Sequence, residues 1–285
     1  MKRINKTFVK NNLPKRPENS NKGSFGKIFS LCGSANMMGA AVLAAKAALS
    51  GGAGYVAAAV PYEEKEVLFA SVPEAVALPL NAGRETAQIK KYISKTKYTL
   101  VLAGPGLGVK RAKKFLPVLQ KINLPLVLDG DALNAPARKN FKFKTPVILT
   151  PHPLEAARLL NLKSAPRDRK KAAADIAAKY NCVCVLKGKG TIITDGKTFL
   201  QNTTGGSALA KAGTGDVLAG LISALWAQTG AQQKNALSAA ACGVYIHGLC
   251  GELAGKKFSD YSVLASDLHK FIGRAIKIIS NAKPT

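Results

Sequence analysis

The sequence is poor in acidic and aromatic residues. Its 285 residues include 16 Asp and Glu against 42 Lys and Arg, which gives a formal net charge of +26 at pH 7. Phe, Trp and Tyr make up 6% of the chain. A protein that binds single-stranded nucleic acid needs stacking aromatics among its basic residues, and here the lysines are scattered without them. We therefore expect no specific nucleic-acid partner, and interpret the charge as a basic surface around a site for anionic ligands.

Long hydrophobic runs and paired-cysteine spacings are also missing. The apolar stretch 40–60 is interrupted by a lysine and several glycines, so we expect no transmembrane helix and no membrane partner. The basic N-terminus has no apolar core and does not resemble a signal peptide. The cysteines are an odd set without zinc-ligand spacing, which favours reduced thiols and a cytoplasmic location: Cys32, Cys182, Cys184, Cys242 and Cys250.

Hydrophobic residues make up 47% of the chain, which is enough for a substantial core. Strand-like apolar segments alternate with helical patterns, and most of these strands end in a glycine-rich or acidic loop. This alternation predicts a single α/β domain over residues 1–285, with a mainly parallel central sheet and helices on both faces. Residues 1–22 are expected to form an irregular arm. The Asp195-Gly196 pair between two short β segments predicts a hairpin that gives the sheet an antiparallel edge.

The stretch 202–226 joins two glycine turns to a helical pattern. Thr214 is expected to cap this helix, and the unpaired N–H groups of its first turn form an anion site. Asp216 lies in that turn, where a carboxylate repels a phosphate unless it has a chemical role. One such role is a base that takes a proton from an attacking hydroxyl. The alternative is an aspartate that only stabilises its helix, but the two glycine turns favour the base.

Further candidates follow the predicted strands. The segment GPGLG at residues 104–108 brings backbone close to another group, although it also suits an ordinary tight turn. Asp131 and Asn134 either contact a ligand or, for Asp131, cap a short helix. Both interpretations carry equal weight on the sequence alone.

Two more strand-end loops carry polar residues. His152 is held between Pro151 and Pro153, which suits a substrate contact. Glu155 is either a helix N-terminal acid or a residue that helps to hold Mg²⁺. The loop at residues 187–191 (KGKGT) is a candidate phosphate or nucleotide contact, and its order differs from a Walker A loop.

Taken together, these segments resemble the ADP/ATP-dependent NAD(P)H-hydrate dehydratases, a branch of the ribokinase-like fold. The matching segments span nearly the whole chain and include AGPGLG, LDGDALN, LTPHPLEAARLL, VLKGKGTIITDG and GGSALAKAGTGDVLAGLISAL. Residues 34–39 (SANMMG) depart from the glycine–tyrosine-type sequence usual before the helix. The epimerase domain that some members carry is absent, so the resemblance implies a separate epimerase.

The resemblance implies repair of a damaged cofactor. ADP or ATP, with Mg²⁺, would phosphorylate the ring hydroxyl of the S-form of hydrated NADH or NADPH, and loss of phosphate would restore the double bond. Asp216 would be the base, and Glu155 would support Mg²⁺ indirectly. A homo-oligomer, specifically a tetramer, is also implied. The implied hydrated-cofactor site is Ala40, Gly104, Gly106, His152 and Asp216; the implied nucleotide site is Lys187, Gly188, Lys189, Gly190, Thr191 and Gly215; the implied anion hole is Gly213, Thr214 and Gly215.

Two other functions fit parts of the sequence. A kinase of the same fold, acting on a vitamin-precursor alcohol, would use the same GTGD chemistry with a different acceptor site. The GPGLG and TPHPLE segments favour the dehydratase. A non-enzymatic nucleic-acid-binding protein would account for the charge, but it would leave Asp216 unexplained.

Overall fold

The computed structural model describes residues 1–134 and 143–281. Within these residues the strands are β1 (Lys2–Arg3), β2 (Lys27–Leu31), β3 (Tyr55–Pro61), β4 (Val76–Leu80), β5 (Leu100–Ala103), β6 (Leu126–Leu128), β7 (Val147–Leu149), β8 (Val183–Leu186), β9 (Ile192–Thr194) and β10 (Phe199–Gln201). The helices are α1 (Lys6–Asn12), α2 (Met38–Ser50), α3 (Lys65–Ser71), α4 (Glu85–Lys95), α5 (Val109–Lys121), α6 (Pro153–Leu159), α7 (Arg169–Tyr180), α8 (Thr214–Ala227), α9 (Gln233–Phe258) and α10 (Ala265–Ser280).

All these strands belong to one sheet, in the order β1-β10-β9-β8-β7-β6-β5-β2-β3-β4. The strands from β4 to β8 pair in parallel, and β9 pairs antiparallel with both β8 and β10. The prediction of a mainly parallel sheet with an antiparallel hairpin at its edge is confirmed. Outside the hairpin lies the two-residue strand β1, which pairs parallel with β10.

Helices cover both faces of the sheet, as predicted. Neighbouring strand residues point to opposite faces, so Ile28 and Phe29 enter different apolar layers. One layer includes residues of α1, α2, α3, α8, α9 and α10, and the other includes residues of α4 to α7. All five cysteines are buried free thiols, as expected.

The prediction of an irregular arm over residues 1–22 is wrong for residues 1–12, whereas residues 13–21 contain no helix or strand. Strand β1 extends the sheet, and Asn5 caps α1 by accepting a hydrogen bond from Phe8 N–H at 2.8 Å. Ile4 and Val9 are fully buried in the core. The few apolar residues of this basic segment, Ile4, Phe8, Val9 and Leu13, form too short a pattern for a strand and a helix to be recognised. Tertiary packing decides their structure.

Helix α9 is long and apolar enough to cross a membrane by length and composition alone. In its most apolar 18-residue window, however, 72% of the residues are buried inside the protein. It packs against α1, α8 and α10. We therefore interpret it as a core helix.

Helices α2 and α8 approach each other at Gly220. A Cβ atom built on Gly220 would lie 2.2 Å from the carbonyl oxygen of Ala44. This distance is far below van der Waals contact, so any side chain at this position would push the two helices apart. Because α8 begins in the glycine-rich stretch, this contact also fixes where its N-terminus lies.

We expect Gly220→Ala to destabilise the protein by about 1–3 kcal/mol, the usual cost of overpacking a core. Gly273→Ala in α10 is the matched control, because a Cβ there would meet nothing within 4 Å. Its better helix propensity should leave stability unchanged or raise it by up to ~1 kcal/mol. Chemical denaturation of both variants measures the difference, and equal stabilities would show that the two helices can separate without cost.

Candidate active site

The carboxyl ends of three neighbouring parallel strands bring polar side chains together. Asp129 follows β6, Thr150 follows β7 and Lys187 follows β8. Lys187 Nζ lies 2.6 Å from Asp129 Oδ1, and the Thr150 hydroxyl donates to the same oxygen at 2.7 Å. Burial acts to lower the pKa of Lys187, but the Asp129 and Glu155 carboxylates outweigh it and the pKa is raised. Lys187 is therefore a charged amine at the base of the site.

The N-terminus of α8 lies over this cluster. Its N-cap is Gly213, whose φ of 87° is in the left-handed region. A Cβ built on Gly215 would lie 3.4 Å from Lys187 Nζ and 3.8 Å from Asp129 Oδ2. The first N–H groups of a helix have no intrahelical partner and carry the positive end of its dipole. The residues of the predicted anion hole therefore border the Lys187–Asp129 pair.

Thr214 is not the helix cap that the sequence suggested. Its hydroxyl donates to the carbonyl oxygens of Leu209 and Lys211, both at 3.0 Å. The side chain is buried and turned back toward the preceding segment, so it braces the turn. The first glycine turn is also occupied, because Gly205 N–H donates to Glu252 Oε1 at 2.8 Å. Of these two turns, the second is the one that leads into the long helix α8 and offers an anion site at its end.

Asp216 is partly buried in the first turn of α8. Its pKa is raised to about 7, chiefly by burial and also by the Asp129 and Asp131 carboxylates, while Lys187 acts in the opposite direction. A carboxyl group that titrates near neutral pH is suited to proton transfer. The structure thus gives Asp216 the properties expected of a base, beside an anion-binding helix end.

His152 and Glu155 form a capping box at the start of α6. His152 Nδ1 accepts hydrogen bonds from Leu154 N–H and Glu155 N–H, and Glu155 Oε2 accepts from His152 N–H at 2.8 Å. The interpretation of Glu155 as a helix N-terminal acid is confirmed. The same carboxylate lies 3.9 Å from Lys187 Nζ, and burial raises its pKa to about 7. Glu155 therefore both caps α6 and faces the cluster.

The residues present do not form a metal cage. Over residues 1–134 and 143–281, no group of three His, Cys, Asp or Glu side chains is arranged to hold a metal ion. Asp129 Oδ1 is already engaged with Lys187 and Thr150, and Glu155 Oε2 with Lys187 and the His152 N–H. A Mg²⁺ ion here would have to be held mainly by phosphate oxygens and water, with at most one protein carboxylate.

The GPGLG loop packs on the same end of the sheet. A Cβ built on Gly104 would lie 1.8 Å from the Asp129 carbonyl oxygen, and one on Gly106 would lie 2.6 Å from Ala40 Cβ. Both positions have positive φ, 122° and 59°. A side chain at position 104 would thus clash with the Asp129 backbone, and one at position 106 would clash with the start of α2. This packing brings three of the predicted hydrated-cofactor residues to one end of the sheet.

Asp131 and Asn134 make structural contacts. Asp131 Oδ2 accepts a hydrogen bond from Gly108 N–H at 2.8 Å, which ties its loop to the start of α5. Asn134 Oδ1 accepts from Arg158 Nη1 at 3.2 Å. One interpretation of the sequence was that Asp131 caps a short helix. This is wrong, because Asp131 lies inside the 3₁₀ turn Gly130–Leu133.

The loop at residues 187–191 splits into two parts. Lys187 extends its amine into the cluster, whereas Gly188 and Lys189 are exposed at the surface. The Thr191 hydroxyl donates to the Gly188 carbonyl at 2.9 Å and closes the loop. The structure therefore brings Lys187 to Asp216, Gly215 and Glu155, while Lys189 stays outside this cluster.

Two polar residues of this cluster were not among the predicted site residues. Asp129 is 3% exposed and Thr150 is 1% exposed, and the hydrogen bond between their side chains lies at the centre of the cluster. The available signal for Asp129 was an acidic residue directly after a buried strand. Its partner Lys187 is 58 residues away in the sequence, so the pairing has no local pattern.

Residues 28–274 match the model of the family described as NAD(P)H-hydrate dehydratase. An ADP-dependent (S)-NAD(P)H-hydrate dehydratase of Bacillus subtilis is 33% identical, over 94% of this chain and 95% of the relative. A bifunctional NAD(P)H-hydrate repair enzyme of Moorella thermoacetica is 35% identical over 93% of this chain. The chain spans about half the length, 52%, of that bifunctional relative.

The fold also matches solved structures. A ribokinase-like superfamily protein from Enterococcus faecalis superposes with a TM-score of 0.86 at 28% identity, covering 99% of this chain and 97% of the other. An ADP/ATP-dependent NAD(P)H-hydrate dehydratase from Bacillus subtilis, co-crystallised with ATP and Mg²⁺, gives a TM-score of 0.83 at 31% identity, covering 96% and 97%. The family match covers most of the sheet, together with the end of it where Asp129, Lys187 and Asp216 meet. This protein therefore belongs to the NAD(P)H-hydrate dehydratase family and has a ribokinase-like fold.

Proposed function

We propose that this protein converts the S-form of hydrated NADH or NADPH back to NADH or NADPH, with ADP or ATP as phosphoryl donor. The observation that carries the proposal is the Asp216 carboxyl group, with a pKa of about 7, at the free N-terminus of α8. The names of the Bacillus subtilis relatives support both the substrate and the nucleotide.

In the first step, Asp216 takes the proton from the hydroxyl of the hydrated ring. The hydroxyl oxygen then attacks the terminal phosphorus of the nucleotide, and AMP leaves from ADP, or ADP from ATP. The N–H groups at residues 213–215 and the helix dipole stabilise the negative charge on the transferring phosphoryl group. In the second step, the ring carbon–oxygen bond breaks and phosphate leaves with the electron pair. A proton on the neighbouring ring carbon then passes to water, and its bonding electrons restore the double bond.

Lys187 and Asp129 prepare the site for this transfer. The charged Lys187 amine lies against Gly215 and is fixed by Asp129, so it offers a positive charge without rearrangement. Thr150 holds the other side of the Asp129 oxygen. We assign the nucleotide to Gly215 and residues 187–191. The hydrated ring is assigned to the side of Ala40, Gly104, Gly106 and His152, so that Asp216 lies between the two ligands.

Mg²⁺ is proposed to arrive with the nucleotide phosphates, where it neutralises charge, with Glu155 as a water-mediated neighbour. The protein is proposed to act in the cytoplasm as a homotetramer. A separate epimerase is proposed to supply the S-form, since relatives of this chain include bifunctional NAD(P)H-hydrate repair enzymes.

The direct test is incubation of the protein with hydrated NADH, Mg²⁺ and either ADP or ATP. Recovery of NADH absorbance, dependent on both nucleotide and protein, is the expected result. Phosphorylation of a vitamin-precursor alcohol with no recovery of NADH would instead assign the protein to the small-molecule kinases of this fold.

Asp216→Asn keeps the size of the side chain but removes the base. We expect the rate of NADH recovery to fall by about 10²–10⁴-fold, the usual contribution of a general base. ADP affinity should persist or rise, because a negative charge near the phosphates is lost. Steady-state rates and calorimetric titration with ADP test both points. A folded variant with the wild-type rate would remove Asp216 from the mechanism.

The activity should depend on pH through Asp216. Since its pKa is raised to about 7, the rate should fall as the pH drops through this value and the base becomes protonated. Burial raises the pKa of Glu155 to about 7 as well, so the profile must also be measured for Glu155→Gln. The acid limb should remain in that variant, and its disappearance would assign the limb to Glu155.

The same shift predicts a stability difference. The fold favours protonated Asp216, so this contribution is full below pH 3.8 and is lost as the pH rises through about 7. The free energy of unfolding of Asp216→Asn, relative to that of the wild type, should therefore increase from pH 5 to pH 8. Denaturation curves at these two pH values measure the gain, and no change between them would argue against a raised pKa.

Gly215→Ala tests the nucleotide position. A Cβ there meets Lys187 Nζ at 3.4 Å, an ordinary contact, so the variant should fold. The methyl group would occupy the space of the phosphates, and we expect the Kd for ADP to rise about tenfold, or roughly 1.4 kcal/mol. Gly273→Ala is the control, with nothing within 4 Å of its Cβ. Unchanged ADP affinity in Gly215→Ala would contradict the placement.

A further inference from the structure

Arg169 lies behind the loop at residues 187–191 and contacts its backbone. Its guanidinium donates to the carbonyl oxygens of Lys189 at 2.6 Å and of Leu186 and Lys187, both at 3.2 Å. Arg169 is the first residue of α7, whose N-cap Asp168 accepts from Lys171 N–H at 2.9 Å. Helix α7 packs on β8 and β9, which flank the loop. Arg169 is thus anchored on a rigid element.

This guanidinium is not held by an acid. Within the described residues, no carboxylate lies within 4 Å of it. Its Nη1 and Nη2 atoms donate to peptide carbonyls, and its buried Nε has no hydrogen-bond partner there. Glycine is required at position 188 because its φ is 127°, in the region that favours glycine, and a Cβ there would lie 3.1 Å from Arg169 Nη2. The arrangement costs the protein a half-buried unpaired cation, which a purely structural loop closure would not require.

The carbonyl contacts determine where the loop N–H groups point. In a trans peptide, the C=O of one residue and the N–H of the next point in opposite directions. Carbonyls drawn toward Arg169 therefore turn the N–H groups of Lys187, Gly188 and Gly190 away from it. Lys187 N–H bears this out by donating to the Pro151 carbonyl at 2.8 Å, next to His152.

The other two N–H groups are free. Within residues 1–134 and 143–281, no acceptor takes the N–H of Gly188 or Gly190. Backbone N–H groups left free in a glycine-rich loop form an anion site, and a cation behind the carbonyls strengthens their outward dipoles. The Lys187 amine belongs to the same segment but extends into the cluster with Asp129, so the two free N–H groups are the donors left for an anion at the loop.

We propose that Arg169 is a positioning residue for the nucleotide, which turns the Gly188 and Gly190 N–H groups toward its phosphates. It touches neither substrate. This inference rests on the proposed function, since it takes the anion to be a phosphate of ADP or ATP. It adds a role for a residue in α7, on the side of the loop opposite the ligand.

The test compares Arg169→Ala with Arg167→Ala, an exposed residue of equal charge two positions away. We expect Arg169→Ala to raise both the Kd and the KM for ADP about tenfold, while the KM for hydrated NADH stays within about twofold. Arg167→Ala should leave all three unchanged. Arg169→Lys, which keeps the charge but cannot span three carbonyls, should fall between Arg169→Ala and the wild type. If Arg169→Ala does not fold, the lysine variant is measured in its place.

Chemical rescue separates positioning from general stability. Millimolar guanidinium should restore ADP affinity to Arg169→Ala, and the same concentration of tetramethylammonium should not. Unchanged ADP affinity in the folded variant would overturn the inference. So would equal losses for both substrates accompanied by a lower unfolding temperature. A wild-type protein that binds no ADP would overturn the proposed function itself, and this assignment with it.

Discussion

The ion pair between Lys187 and Asp129 is the interaction on which the rest of the site depends. Lys187 Nζ and Asp129 Oδ1 lie 2.6 Å apart, and Asp129 is almost fully buried. The acidic neighbours of Lys187 raise the pKa of its amine. A buried carboxylate is tolerated only when it is paired and hydrogen-bonded, and Asp129 has both Lys187 and Thr150. Because the three residues follow adjacent parallel strands, the sheet register itself sets their geometry.

The N-terminus of α8 meets this pair because the backbone on three sides has no room for side chains. Gly220 lies against α2, Gly104 lies against the Asp129 carbonyl, and a Cβ on Gly213 would lie 2.9 Å from Ala265 Cβ. The Gly220 and Gly213 contacts restrict shifts of the helix end itself, and the Gly104 contact fixes the loop beside Asp129. The anion site is therefore held by packing distances in the core as well as by the turn that carries it, and a change far from the site can displace it.

The strand ends, the hairpin and the position of Asp216 could be predicted because each has a local pattern: apolar runs, an Asp-Gly pair, and glycines before a helix. The exceptions depend on contacts between distant segments. Ile4 and Val9 are ordered by the core that they join. Thr214 looked like a cap, but carbonyls of the preceding turn take its hydroxyl. The Arg169 contacts with residues 186–189 likewise join a helix to a loop that it follows only in space.

The charges of the site also explain how a basic protein accommodates three carboxylates beside an anion-binding helix end. Asp129 is neutralised by Lys187, while burial raises the pKa values of Glu155 and Asp216 to about 7. Near neutral pH the cluster therefore carries less negative charge than three carboxylates would give. A fraction of the Asp216 side chains is still ionised at this pH and can accept a proton. The surrounding excess of 42 Lys and Arg over 16 Asp and Glu attracts anions from a distance. The surface lysines and arginines thus attract anionic ligands, while the partly buried Asp216 carboxylate accepts the proton. The two properties come from different residues, so one can be kept without weakening the other.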